Sequence, residues 1–159
     1  MRWWLMLAFG CVRVRFLGTG TSHGVPMIGC DCDVCRSEDP RDKRLRSSIA
    51  IETPDGACVL VDTATDLRAQ ALRARMSRVD AVLYTHAHAD HLLGLDELRR
   101  FNHIQHTAIP LFGAPHTLDD IRRTFAYVFR PGAPRGGGVP DLDLWPIEGA
   151  FCLCGLEIQ

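Results

Sequence analysis

Residues 82 to 91 read VLYTHAHADH, and the last six of these hold three histidines and one aspartate. A divalent metal ion needs several lone-pair donors converging on one point, and imidazole nitrogens and carboxylates are its usual suppliers. His86 and His88 stand two residues apart, so in extended chain they face the same side, while Asp90 and His91 follow as the chain turns towards a helix. A lone histidine is most often a satisfied core or surface residue, but four donors packed against the end of an apolar run point to metal binding. Such an array suits two adjacent ions better than one.

A second cluster lies nearer the N-terminus, where CDCDVC places Cys30, Cys32 and Cys35 too close together for a sensible disulfide framework. The total of seven cysteines is odd, and the spacing reads as a metal-binding loop in a reducing, cytoplasmic compartment. Three thiolates need a fourth ligand to close a tetrahedral site. Cys11, Cys58, Cys152 and Cys154 lie in apolar, strand-like segments and are expected to be small buried hydrophobes.

These donors need rigid supports. A first strand is expected over about residues 12 to 17, where Val12, Val14 and Phe16 alternate with Arg13 and Arg15. After a Gly-rich loop and the cysteine loop, SSIAIET and ACVLVD form a hairpin around PDG. A helix fits TDLRAQALRARM, with Leu67, Ala71 and Ala74 on one face, and the strand VDAVLYT then delivers the histidines. HLLGLDELRRFN reads as a second helix and AIPLF as another strand. A third helix is expected over TLDDIRRTFAYVF, capped by Thr117, with Asp119 and Asp120 in its first turn and Leu118, Ile121, Phe125 and Val128 along one side. RPGAPRGGGVP is expected to be a mobile loop, and LDLWPI and FCLCGLEIQ to be two final strands. His103, His106 and His116 are expected on the surface, as are the arginine pairs at 99, 100, 122 and 123. Strands alternating with helices, without an internal repeat, give an α/β fold class.

The composition, 47% hydrophobic and 23% charged with a net charge of -1, is that of one soluble domain. It provides no broad basic field for gripping nucleic acid. The opening run MRWWLMLAFGC is too short to span a bilayer. It leaves open a secretion signal, a leading edge strand, or residues ahead of the true start. The lack of a small-residue cleavage site before Val12 weighs against the first.

The stretch THAHADH matches the H-x-H-x-D-H signature of the metallo-β-lactamase superfamily, which the chain resembles over most of its length. FLGTGTSHGVP is similar to the opening strand and loop of its phosphodiesterase branch, CVLVDT to the strand carrying that family's first aspartate, and GLDELRRFN to the helix after the histidines. The cysteine loop resembles that of the phosphoribosyl cyclic phosphate phosphodiesterases, where it helps to hold a structural zinc. A related loop occurs in the pyrroloquinoline-quinone biosynthesis member, whereas ribonuclease Z lacks it. The resemblance implies an αββα sandwich in which His86 and His88 ligate one catalytic metal and Asp90 and His91 a second, both zinc or manganese. Hydroxide activated by the two metals would attack a small cyclic or diester phosphate. Cys30, Cys32 and Cys35 would hold one structural zinc, whose fourth ligand in the family is a downstream histidine without a clear counterpart here. Asp62 would orient a ligand histidine, the alternative being a turn residue after a strand. His23 would contact substrate phosphate, the alternative being an exposed loop histidine. Homodimers are common in the family, so a homodimer is implied as well.

Members of the superfamily build the sandwich from two similar halves. Residues 1 to 159 are therefore expected to be the N-terminal portion of one such domain, ending before the third ligand histidine, the bridging aspartate and the final histidine. One sheet face would then lack its partner and expose apolar surface, with dimerisation or instability as the consequence. Two further readings of function stand beside the phosphodiesterase: a cofactor-biosynthesis enzyme of the same fold, and an inactive zinc-binding fragment.

Overall fold

The computed structural model describes residues 11–132 and 138–159. Six strands form one sheet in chain order: β1 (Arg13–Gly18), β2 (Ser48–Glu52), β3 (Cys58–Val61), β4 (Ala81–Leu83), β5 (Ile109–Gly113) and β6 (Leu142–Pro146). The first three are antiparallel neighbours, and from β3 onwards every pairing is parallel. Parallel neighbours need crossover connections, which here are helical. β3 and β4 are joined through α2 (Leu67–Ala74); β4 and β5 through α3 (Ala89–Leu92) and α4 (Leu98–Gln105); β5 and β6 through α5 (Pro115–Thr124) and α6 (Ala126–Phe129). The remaining helix, α1 (Asp33–Arg36), sits in the cysteine loop.

The helices bury their apolar stripes on one face of the sheet. Leu67, Leu92, Leu95, Leu98, Phe101 and Ile121 pack there against Leu60, Val82, Ile109 and Leu111. The opposite face carries one apolar residue from each strand in a single register row: Phe16, Ile49, Val61, Leu83, Phe112 and Trp145. A small hairpin, β7 (Phe151–Leu153) and β8 (Leu156–Ile158), covers the middle of that face through Leu153 against Val59 and Ala81. The row's two ends stay open, with Phe16 69% and Trp145 55% exposed. Apolar surface is therefore exposed at both ends of this face.

Five expectations from the sequence are corrected. The third helix, expected unbroken over TLDDIRRTFAYVF, is interrupted at Phe125, which leaves helical φ/ψ and divides it into α5 and α6. The segment after the histidines is not one helix but α3, a 3-10 turn at Leu95–Glu97 and α4. The break follows from Gly94, which lies so close to the β3–α2 connection that a Cβ there would sit 2.1 Å from the Ala64 carbonyl oxygen. Thr117 does not cap the third helix: α5 starts earlier, with Ala114 as its N-cap and Pro115 opening the first turn, where its fixed φ and missing N–H cost nothing. Asp119 and Asp120 instead pair with Arg122 and Arg123 one turn on. FCLCGLEIQ makes two short strands rather than one, because Cys154 and Gly155 both take positive φ and turn the chain back on itself. Of the four cysteines expected to be buried, Cys58 is, Cys154 is half-buried, and Cys11 and Cys152 are exposed.

The N-terminal run up to residue 10 and most of the Gly-rich loop, residues 133–137, lie outside the described residues. Among the described residues no helix is long and apolar enough to cross a membrane.

Candidate metal centre

In open α/β sheets, ligands gather where parallel strands end at their carboxyl edge. Asp62 follows β3 there, and Thr85 to His91 follow β4. Asp62 is buried, with a φ of 60°. Aspartate is among the few residues that tolerate this left-handed conformation. Its Oδ1 accepts a hydrogen bond from the Thr85 amide at 2.9 Å, and its Oδ2 accepts one from the Thr85 hydroxyl at 2.8 Å. The same Oδ2 lies 2.7 Å from His91 Nδ1. One carboxylate thus ties the end of β3 to both ends of the histidine segment.

The histidine rings gather above it. The centroid of His86 is 4.5 Å from that of His88 and 4.1 Å from that of His91, and His91 Nε2 lies 3.4 Å from Asp90 Oδ2. The four donors named from the sequence are therefore neighbours in space. His86, Asp90 and His91 are half-buried and His88 is exposed, which leaves the cluster open to solvent on one side.

A second polar network, buried at Thr63 and Tyr84 and reaching the surface at Thr65, anchors the segment from below. Thr63 Oγ1 donates to the Leu92 carbonyl at 3.0 Å, so the 2.8 Å contact with the Tyr84 hydroxyl has tyrosine as donor. Burial pushes the Tyr84 hydroxyl far above its ordinary pKa, which keeps it a neutral donor. Thr65 Oγ1 donates to the Ala89 carbonyl at 3.1 Å, and the Gly94 amide to the Thr63 carbonyl at 2.9 Å. Thr63, Tyr84 and Thr85 were not singled out in the sequence. Their one signal is position: polar hydroxyls at the ends of the apolar strands that carry Asp62 and His86.

The cysteine loop converges as its spacing suggests, with the sulfurs of Cys30, Cys32 and Cys35 all within 4.8 Å of one another. Among the described residues no other group of three or more His, Cys, Asp or Glu donors is gathered so tightly; the histidine donors are more widely spread. The Cys35 amide and the thiols of Cys30 and Cys35 hold Cys32 below the ordinary cysteine pKa. The Met27 amide pulls Cys35 the same way, but its contacts with Cys30 and Cys32 and its desolvation leave it raised. Sulfurs this close together interact directly, so the thiol of Cys32 ionises more easily while that of Cys35 resists.

His23 is exposed in the loop between β1 and the cysteines and makes no hydrogen bond or ring contact among the described residues. His103, His106 and His116 are exposed as expected, and Arg99, Arg122 and Arg123 pair with acids within their own helical turns. A cavity of about 560 Å³ opens between Arg13, Arg15, Glu52, Arg75 and Arg78, with none of the histidine cluster in its lining. The groove that adjoins the site is smaller, about 290 Å³, between Phe16, Thr19, Val61 and Asp62. Donor chemistry rather than cavity size locates the centre.

Residues 58–156, from the start of β3 into the last hairpin, match the Beta-lactamase superfamily domain, and the chain belongs to that superfamily, a family of hydrolases. Within it the likeness is to the PhnP-like branch. The solved structure of a diphosphatase from the PhnP family has a TM-score of 0.81 and 39% identity, covering 92% of this chain and 54% of that one. Zinc-bound PqqB from Methylobacterium extorquens has a TM-score of 0.66 at 23% identity, covering 87% of this chain and 47% of that one, and shares the fold. Among curated proteins, an octanoyltransferase from Porphyromonas gingivalis is 47% identical over 127 residues, which are 77% of this chain and 25% of that protein. Coenzyme PQQ synthesis protein B from Rhodopseudomonas palustris is 32% identical over 100 residues, 55% of this chain and 32% of that protein. The chain spans between 25% and 40% of the curated relatives it matches and 54% of the diphosphatase.

Proposed function

We propose that the chain carries the metal-binding part of a hydrolase site that acts on small cyclic or diester phosphates. The observation that supports this reading is the Asp62 carboxylate, which accepts from Thr85 and meets His91 Nδ1, so that His91 turns its other nitrogen to the cluster. The donor set fits divalent cations: imidazoles with a free nitrogen, the Asp90 carboxylate beside one of them, and separately three converging sulfurs. His86, His88, Asp90 and His91 would hold two catalytic ions, zinc or manganese, and Cys30, Cys32 and Cys35 one structural zinc.

Bound divalent cations supply Lewis acidity, polarising phosphoryl oxygens and making coordinated water acidic enough to act near neutral pH. The chain's own residues do the rest. Asp62 fixes the orientation of His91, Asp90 contributes a negative donor beside it, and His23 is placed in the proposal as the residue that hydrogen-bonds a phosphate oxygen of the substrate. The cysteines pin the loop that carries His23. Seven unpaired cysteines suit a reducing cytoplasm, and a net charge of -1 suits a small substrate better than a nucleic acid. A homodimer is part of the proposal, read by sedimentation velocity.

The test is metal content by elemental analysis, wild type against His86→Ala/His88→Ala and against Cys32→Ser/Cys35→Ser, followed by hydrolysis of bis(p-nitrophenyl) phosphate. The reading expects each pair of substitutions to remove its own metal, and hydrolysis to depend on the histidine pair. A wild-type protein without metal after zinc reconstitution overturns it.

A second reading has its own support in the curated relatives named coenzyme PQQ synthesis protein B. Turnover of a hydroxylated quinone precursor, with no phosphodiester hydrolysed, would favour that reading. Metal bound without turnover of either substrate would leave a zinc-binding fragment. The octanoyltransferase match covers 25% of that protein, too little to bring acyl transfer into consideration.

A further inference from the structure

Thr85 stands between Asp62 and His86, and its hydroxyl has one proton to give. The oxygen lies 2.8 Å from Asp62 Oδ2 and 2.9 Å from His86 Nδ1. An ionised carboxylate only accepts, and Asp62 already faces the Thr85 amide and His91 Nδ1 as donors, so the hydroxyl proton goes to Asp62. The threonine oxygen then offers His86 Nδ1 a lone pair. A contact of 2.9 Å between two lone pairs would be repulsive, so Nδ1 carries the imidazole proton and Nε2 is left as the bare nitrogen.

We propose that Thr85 is a positioning residue that relays the acceptor character of Asp62 to His86, so that a single carboxylate sets the tautomers of two histidines. His91 is set directly through its own Nδ1, and His86 through the intervening hydroxyl. Both rings then present Nε2 outward, from neighbouring positions 4.1 Å apart by centroid. Free histidine in water favours the opposite tautomer, with the proton on Nε2, so the relay works against the intrinsic preference. The consequence for metal binding rests on the hydrolase reading above; the tautomer assignment does not.

The arrangement also accounts for the residue type. Serine would keep the relay, whereas valine has the shape of threonine without a hydroxyl. The hydrogen bond from the residue 85 amide to Asp62 Oδ1 uses only the backbone of residue 85, so it survives either substitution. The side chain is exposed, so its replacement leaves no buried cavity.

The experiment compares metal-free wild type, Thr85→Val and Thr85→Ser by long-range 1H–15N correlation of the histidine rings, with zinc affinity measured separately by competition against a chromophoric chelator. In wild type and Thr85→Ser, His86 should show a protonated Nδ1 and an unprotonated Nε2. In Thr85→Val the proton should move largely to Nε2, with His91 unchanged and zinc affinity lowered roughly 10- to 100-fold, the usual cost of losing a residue that orients a ligand. If Thr85→Val fails to fold, Thr85→Ala carries the same test. A His86 spectrum unaltered in the valine or alanine variant overturns the proposal, as does a serine variant that behaves like valine. Correct tautomers in a wild-type protein that binds no zinc at the histidines would refute the hydrolase reading and leave the relay standing.

Discussion

Asp62 does three things with one carboxylate, and each depends on its being ionised and acceptor-only. Asp62→Asn keeps the size and the tolerance of positive φ but introduces a donor where three donors converge. The substitution should lower stability by about 1–3 kcal/mol in urea titrations and reduce bound zinc at the histidines while leaving the cysteine site loaded. A different residue governs the response to alkali. Burial pushes the Cys58 thiol from the ordinary 9.0 up to about 11, with nearby Glu52 and Asp80 adding to it. The folded state therefore holds its proton after the unfolded state has released it. This contribution is fully present below pH 9 and is lost as the pH rises through about 11, on the order of 2 kcal/mol in all. Urea midpoints between pH 8 and 11 should accordingly fall less steeply in Cys58→Ala than in wild type. At this scale the sequence is legible where chemistry is contiguous: the donors from His86 to His91 and the three cysteines stand side by side in the chain. Thr85 is not legible in that way, because its role depends on a carboxylate 23 residues away that only folding brings near.

Elements place these residues by short, crowded connections. Gly94 shows how little slack there is: besides the Ala64 carbonyl, an added Cβ would meet Leu67 Cβ at 2.8 Å. Gly94→Ala should cost about 1–3 kcal/mol by chemical denaturation, through displacement of α3 against the start of α2. Since α3 carries Asp90 and His91, zinc occupancy at the histidines should fall with it. The hairpin of β2 and β3, the α2 crossover and the strand before the histidines were readable because their apolar residues repeat at the period of the element they form. Leu67, Ala71 and Ala74 do face the core from α2, as their spacing indicates. The breaks were not readable. What interrupts the helical run after His91 is a contact with Ala64, and Thr117 looks like a cap only when Pro115 is overlooked as the better helix start. Thr117 is instead fully buried, with a hydroxyl that finds no partner among the described residues, and its surroundings do not explain why it is not an apolar residue.

The whole molecule has two faces of different character. Helices close one side of the sheet, while among the described residues the row from Phe16 to Trp145 on the other is covered at its centre by β7 and β8. Phe112 stacks on both Trp145 and Phe151, at 6.5 Å and 5.3 Å, so the aromatic surface continues from the sheet onto the hairpin. This face should enhance the fluorescence of anilinonaphthalene sulfonate in the native protein. Phe16→Glu/Trp145→Glu should abolish most of that enhancement while shifting the thermal midpoint little, since both side chains are mostly in water already. The alternating α/β class was legible from the order of strands and helices. That the parallel pairings begin at β3 was not, because strand direction is settled by where each crossover docks. The Thr85 amide is held by the Asp62 side chain and not by a strand ladder, so deuterium reaches it only when the ends of β3 and β4 part. Its exchange rate is a clock for that parting, and it separates the breathing of this one edge from unfolding of the sheet.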